Sequence, residues 1–510
     1  MGQTKFLFPD HHRFSARAIE TVFMVGLDQI PWPCSVKLND GVLTIERNTN
    51  DSGRLFLSVD IPKYGELLLS TATLPERQAP YDLAIELVRG TLNRLNSQLF
   101  LWCEGGLKVS DDLLSKNDGF RDQFAELIFQ KDSADRLDRL FHLLDEIVDQ
   151  IFELCKLFAD FVIDLRIEHE GSIQSAIGFI LNDRIQQYEA NLPNWVNCIS
   201  LSVNDVVINR ASHEFDWDAI KANMSRYVGK TQVLAMGPMV DFSQRRPPNW
   251  LRNDETFELQ RQTAANFARG FARHLLGKNQ LAYVAAGLNG ISQQSKSFSH
   301  QLQITVDMLE AVDSVRTDIS TLVSFDQPWG ERIAWSVGGT HAMHIADTLL
   351  RHGLHISSFG LEVNLDYWPH GSLARDPLHW VDLIDQWSQF GVPLVVILSA
   401  PMFESGYAGL SESVGIDSKG QNGSMDSQTL FKKSGIRRCM THMQLYNYLE
   451  SVIRVLISKP IVNGILWRQW RDEPEQRFIA CGLVDQNGEL KSLGRLMEQI
   501  GTVIHKKRVM

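Results

Sequence analysis

"ISSFGLEVNLDYW", residues 356–368, decides how the rest of the chain is read. Apolar Leu361, Val363 and Leu365 alternate with Glu362, Asn364 and Asp366, and the run ends in Tyr367 and Trp368. A strand turns successive side chains to opposite faces. One face of this strand is therefore apolar, and the other carries carboxylates toward its end. Such a strand fits a barrel with helices packed outside and a polar mouth at the strand ends.

Seven further apolar runs support that placement: "SAIGFIL", "VNCISLSV", "TQVLAMGPMVDF", "LAYVAAGLN", "TLVSFDQ", "VPLVVILSAP" and "VNGILWRQW". Most are separated by amphipathic helical stretches such as "TAANFARGFARHLLG" and "LHWVDLIDQWSQFG". Strand and helix alternating eight times predict an α/β fold, a (β/α)8 TIM barrel over residues 172–505. A doubly wound sheet is the alternative, but no Gly-rich dinucleotide fingerprint follows the first run. The Gly- and Ser-rich stretch 404–435 follows the seventh run and reads as a loop.

Upstream, the rhythm differs. Residues 1–80 hold short alternating segments, "CSVKLNDGVLTIER", "GRLFLSVDI" and "GELLLSTATL", with Asn39-Asp40-Gly41 and Asp51-Ser52-Gly53 as hairpin turns. They predict a small antiparallel β-domain. Residues 81–171 carry helical periodicity and form a helical connector whose apolar faces must pack on a larger body.

Ligands of such barrels bind at the carboxyl ends of the strands. The third run supplies Asp241, with Gln244 and Trp250 beyond it, and the fourth supplies Asn289. The fifth runs out in "SFDQPWGERIAW", bringing Asp326, Gln327, Trp329 and Glu331. The sixth gives Glu362, Asn364, Tyr367 and Trp368, then Arg375 and Asp376. The eighth gives Trp467, Gln469 and Asp472. Parity turns Ser324, Asp326, Glu362 and Asn364 inward, and Val323 and Phe325 toward the helices. A carboxylate inside a packed barrel is costly unless paired or functional. A buried ion pair with Arg468 or Arg375 is thus the plain alternative to a catalytic role. Trp380 and Trp387 lie in a helical stretch and read as core or helix surface.

Carboxylates beside indoles suit saccharides, whose ring faces lie on aromatics and whose hydroxyls bond to carboxylates and amides. Glycosidic cleavage uses two carboxyl groups, one as acid and one as nucleophile or base.

Two longer stretches resemble family 10 glycoside hydrolases, the xylanases. "HEFDWDAIKANMSRYVGKTQVLAMGPMVDFSQRRPPNWL" is similar to their second and third strands, and "GILWRQWRDEP" with "GLVDQNGELKSLGRL" to their closing strand and tail. The likeness spans roughly residues 170–505. It implies the barrel fold and a cleft for a poly- or oligosaccharide. The family's acid/base glutamate follows an Asn on the fourth strand, where this chain has Asn289-Gly290. On the seventh strand, where the family has its nucleophile, this chain has Ser399 and no aligned carboxylate. The chain is similar to uncharacterised bacterial relatives of that family.

Two readings follow. In one, the carboxylates have moved: Glu362 is nucleophile or base, Asp326 or Glu331 the acid, and hydrolysis proceeds at the carboxyl-end face. Asp241, Asn289, Gln327, Trp329, Asn364, Tyr367, Trp368, Trp467, Gln469 and Asp472 would then hold the glycan. In the other, the barrel is a catalytically inactive carbohydrate binder. A scaffold using its β-domain for protein contacts is a third class. Neither reading requires a cofactor or a metal.

Composition narrows the rest. Apolar content of 44%, charged content of 22% and a net charge of −11 are those of an ordinary globular protein with no basic face for nucleic acid. The six cysteines are scattered without metal-ligand spacing and are expected to be reduced and mostly buried. No apolar run is long enough to span a membrane, and the start lacks a secretory h-region, so a cytoplasmic location is expected.

Overall fold

The structure is a computed structural model that describes residues 2–15, 18–130, 135–171, 173–181, 192–203, 208–209, 214–227, 231, 233–242, 248, 251, 255–274, 280–288, 298–335, 339–368, 371–402, 440–472, 478 and 480–506.

Alternation near the amino terminus builds two small sheets. The first runs Cys34–Asn39, Val42–Arg47, Gly2–Leu7, with the short Tyr81–Asp82 alongside; the second runs Phe23–Val25, Arg54–Ile61, Gly65–Ser70. Asp40 and Gly41, at φ 48° and 73°, close the Cys34–Arg47 hairpin with the two positive-φ residues that a tight right-twisted turn requires. The second expected turn, Asp51-Ser52-Gly53, does a different job. Strand Arg54–Ile61 pairs with Phe23–Val25 and Gly65–Ser70, so this turn carries the chain from one sheet to the other. Three helices follow, Leu83–Glu104, Asp111–Phe129 and Arg136–Glu170. Asp82 and Ser110 cap the first two by accepting from Ile85 and Leu113 N–H, and Gly171 at φ 74° ends the third. Their apolar faces are buried, as their periodicity demanded, and Tyr64 of the β-domain stacks on Phe152 of the third helix at 3.5 Å.

All eight apolar runs of the remaining chain are parallel strands: Ala176–Leu181, Cys198–Leu201, Val233–Met236, Gln280–Leu288, Ser320–Asp326, Ser358–Asn364, Leu394–Ser399 and Val462–Trp467. Each pairs with the next, and the eighth pairs with the first, Gly464 opposite Ala176, so the ring is closed. Among the described residues, helices follow the second to eighth strands: Trp217–Ser225, Phe257–His274, Phe298–Asp313, Ala342–Arg351, Pro377–Ser388, His442–Ser458 and Ser492–Lys506.

Side chains sort by parity. Val323, Phe325, Phe359, Leu361 and Val363 join the core between strands and helices, where Phe325 and Phe359 contact Trp387 at 5.2 and 6.0 Å. Ile180, Cys198, Tyr283, Leu322, Ile397 and Leu466 fill the barrel centre. Trp380 and Trp387 are both fully buried, and the Trp380 indole donates to the Tyr448 hydroxyl at 2.9 Å.

The β-domain sits on the loops after the fifth and sixth strands. Leu68 N–H donates to Ala374 O at 2.7 Å, and Phe23, Phe56, Trp335, Trp368 and Leu373 share one apolar cluster. Arg94 of the first helix grips Asp376 with two bonds of 2.8 Å. Asp376 also caps the helix Pro377–Ser388, accepting from Leu378 and His379 N–H. One buried carboxylate thus joins a helix start to a domain contact, and Arg94 and His379 hold it well below its ordinary pKa against the cost of burial.

No described helix is long and apolar enough to cross a membrane. No described group of His, Cys, Asp or Glu could hold a metal ion. The five described cysteines are free; Cys155, Cys198 and Cys481 are buried, Cys34 and Cys103 half-buried, and Cys439 lies outside the described residues.

Candidate functional site

Glu362 is the centre of the barrel's carboxyl end. The sixth strand turns it inward, and its side chain is fully buried. Its Oε1 accepts from Gly287 N–H at 2.6 Å and from the Ser324 hydroxyl, while Oε2 lies on the Arg468 guanidinium. Each donor has a local cause. The fourth strand loses register between Tyr283 and Leu288, and Gly287 sits at φ 68°, a bulge that turns an N–H from the ladder into the barrel. Ser324 fits because residue 360 is Gly: a Cβ there would lie 2.3 Å from the Ser324 Cβ. Behind Ser324, the Tyr283 hydroxyl is 2.6 Å away, and burial pushes that phenol well above its ordinary pKa, so it stays protonated. All of these groups favour Glu362 as a carboxylate.

Arg468 ties the mouth together. Beyond Glu362 it reaches Asp241 at 3.6 Å and donates to Asn364 Oδ1 at 3.0 Å, with its guanidinium 5.0 Å from the Phe478 ring. Asn364 accepts from the Ser399 hydroxyl at 2.7 Å and donates to Asp326 Oδ1 at 3.1 Å. Asp326 and Glu362 are register partners on adjacent strands, both turned inward. The structure thus brings Glu362, Asp326, Asp241 and Asn364 around one arginine. Among the described residues, Arg468 meets Glu362 and Asp241 directly, and Asn364 links it to Asp326. Tyr367 and Phe478, in edge contact at 4.8 Å, form the aromatic flank beside Arg468.

The other candidates lie elsewhere. Glu331 opens the short turn Glu331–Ala334 and pairs with Arg375 at 3.3 Å, and burial raises its pKa against that arginine. Trp329 meets Trp380 edge-on at 4.9 Å and lies under Arg375 at 4.7 Å. Trp368 meets Trp335 edge-on at 4.6 Å beneath the β-domain. Trp467 turns outward by parity and donates to Cys481 O at 2.5 Å. The three indoles expected to rim one cleft therefore belong to three packing environments, because two of the loops carrying them are covered by the β-domain. Gln327 donates to Gly371 O at 2.8 Å, beneath the loop after the sixth strand. Gln469 accepts from the Cys481 thiol at 2.9 Å. Asp472 pairs with Lys491 and accepts from Gly482 N–H at 2.7 Å, locking the closing segment. Asn289, Gln244 and Trp250 lie outside the described residues.

Sequence reading treated Arg468 only as an ion-pair partner and missed Tyr283, Ser324 and Phe478 as parts of the site. For Arg468 the signal was present: Gly464, Leu466 and Arg468 alternate along the eighth strand, which turns the arginine inward. Phe478 follows that strand and carries no periodic signal.

No family profile matches the chain, and no curated protein does. Solved structures with a similar barrel include xylanase 10B from Thermotoga petrophila RKU-1 in complex with xylobiose, at 10% identity and TM-score 0.44 over 67% of this chain and 96% of that one. A GH10 protein from Paenibacillus barcinonensis matches at 12% and 0.44 over 66% and 97%. The GH53 catalytic domain of Ignisphaera aggregans matches at 14% and 0.40 over 64% and 95%.

Proposed function

We propose that the carboxyl end of the barrel binds a neutral poly- or oligosaccharide without cleaving it. One observation carries this reading: both oxygens of Glu362 are occupied, by Gly287, Ser324 and Arg468, in a fully buried position. A nucleophile must present an oxygen to the anomeric carbon, and a general acid must hold a proton. Glu362 is set up for neither. Its ion pair instead fixes Arg468, and with it Asp241, Asn364 and Asp326, as a preformed polar floor. Carboxylates beside an amide suit hydroxyls, which donate to carboxylates and accept from amides.

Hydrolysis is the second reading, favoured by the register pairing of Asp326 with Glu362. Neighbouring strands lie about 4.8 Å apart, which sets the two carboxyls near the separation of about 5–5.5 Å that retaining glycosidases use. One experiment separates the readings. The full chain is titrated with neutral xylo-, gluco- and galacto-oligosaccharides by calorimetry, and the same mixtures are assayed for new reducing ends. Binding without product, weakened in Asp241→Asn, supports the first reading. Reducing ends that disappear in Asp326→Asn replace it with the second, and the absence of any binding removes both.

A further inference from the structure

The seam between the β-domain, the first helix and the barrel encloses a second candidate site, unrelated to the barrel mouth. It is a cavity of about 460 Å³, open to solvent, with Phe56, Trp329 and Leu378 among its walls. Asn93, Gln98 and Gln386 add amides. A volume of this order accommodates a small molecule.

The charges in and beside the cavity are matched except for two. Arg94 is held by Asp376, Arg375 by Glu331, and Lys459 by Asp385 at 2.6 Å. His379 is neutral, its pKa lowered to about 3 by burial and then by Arg94. Arg54 and Asp382 remain. Among the described residues, the guanidinium of Arg54 hydrogen-bonds only to the neutral side chain of Gln29, and no hydrogen bond or ion pair reaches Asp382. Burial lowers the pKa of Arg54, with Arg94 adding to the effect, and the surrounding protein raises that of Asp382; the two ions feel one another's charge and that of Arg94, but no hydrogen bond or ion pair joins them. With cations and carboxylates balanced, the cavity has no net preference for an anion or a cation. It has one unmatched group of each sign beside an apolar wall.

We propose that this seam cavity binds a free α-amino acid, with its carboxylate on Arg54, its ammonium on Asp382 and its side chain against Phe56, Trp329 and Leu378. Only a zwitterion gives both unmatched ions a charged partner, and charge-assisted hydrogen bonds are about twice as strong as neutral ones. A neutral sugar would leave both ions facing hydroxyls.

The test is calorimetric titration of the full chain with L-phenylalanine, L-leucine and L-glutamine at millimolar concentration, beside their methyl esters, their N-acetyl derivatives and a monosaccharide set. The expected result is that at least one amino acid binds, and that its ester and its N-acetyl form each bind at least about tenfold more weakly, the scale of a lost charged hydrogen bond. Arg54→Gln should weaken the amino acid by the same factor while leaving the affinity of its ester unchanged. Asp382→Asn should do the converse with the N-acetyl form. Both positions are at least partly exposed, and circular dichroism checks that the variants fold. Failure of every amino acid to bind overturns the proposal. So does binding that is indifferent to esterification, or a monosaccharide that binds equally to wild type and Arg54→Gln.

Discussion

The barrel mouth and the domain seam are both organised by arginines facing carboxylates, yet they solve opposite problems. At the mouth one guanidinium, Arg468, serves Glu362 and Asp241 and holds Asn364. At the seam Arg94 and Arg375 each have a single carboxylate partner, and those pairs join separate parts of the chain. The first arrangement stiffens a surface within one domain; at the seam Arg94–Asp376 fastens the first helix to the barrel, while Arg375–Glu331 joins two barrel loops beside it. A buried carboxylate at a strand end is therefore weak evidence for catalysis until its partner is known.

Removing Arg468 should have the largest effect. Arg468→Met strands Glu362 in a fully buried position, and breaking a buried pair costs about 3–5 kcal/mol. The check is a urea midpoint at unchanged m-value. A loss below about 1 kcal/mol would mean that Gly287 and Ser324 alone satisfy Glu362. Arg94→Met should cost less, about 1.5–3 kcal/mol for its charged hydrogen bonds, because Asp376 keeps the Leu378 and His379 N–H groups. If instead it costs more than Arg468→Met, the seam and not the mouth is the tighter structure.

Acid should act on the seam next. Asp376 has a depressed pKa, so its contribution is complete above the ordinary carboxylate range and is lost as pH falls through the lower folded value. His379 titrates near 3 when folded against an ordinary 6.5. The unfolded chain thus takes up a proton first, and stability falls as pH drops through that window and is flat above it. Unfolding midpoints measured from neutral pH toward 3 should decline, and His379→Gln should flatten the decline. An unchanged slope would place the linkage elsewhere, with buried His341, lowered to about 4, the next group to test.

Gly360→Ala should be smaller still, about 1–3 kcal/mol from overpacking, since the added methyl meets the Ser324 side chain. Pairing it with Ser324→Gly should recover part of the loss. Lys37→Ala, at an exposed pair with Glu46, should fall within about 0.5 kcal/mol and serves as the control.

The barrel was legible because its strands obey a period of two over a closed ring. Leu361, Val363, Val323 and Phe325 face outward and Glu362, Asn364, Ser324 and Asp326 inward, as alternation requires. Where the chain leaves the strands, that signal ends. Nothing local in "PWGER" or "DYW" says that a domain three hundred residues upstream will cover it. Trp329, Trp368 and Glu331 look in sequence like the rim of an open cleft and are buried at a seam. Gly287 illustrates the remaining gap: the bulge that aims its N–H depends on pairing between strands and not on its neighbours in the chain.

The cap of β-strands over Trp335 and Trp368 also sets how this protein can be cut. A fragment beginning near residue 172 would contain every barrel strand, yet it would bare those indoles and Leu373 and leave Asp376 without Arg94. Such a fragment should aggregate on expression although its sequence encodes a complete ring. The boundary that a topology diagram suggests is not one at which the chain can be severed.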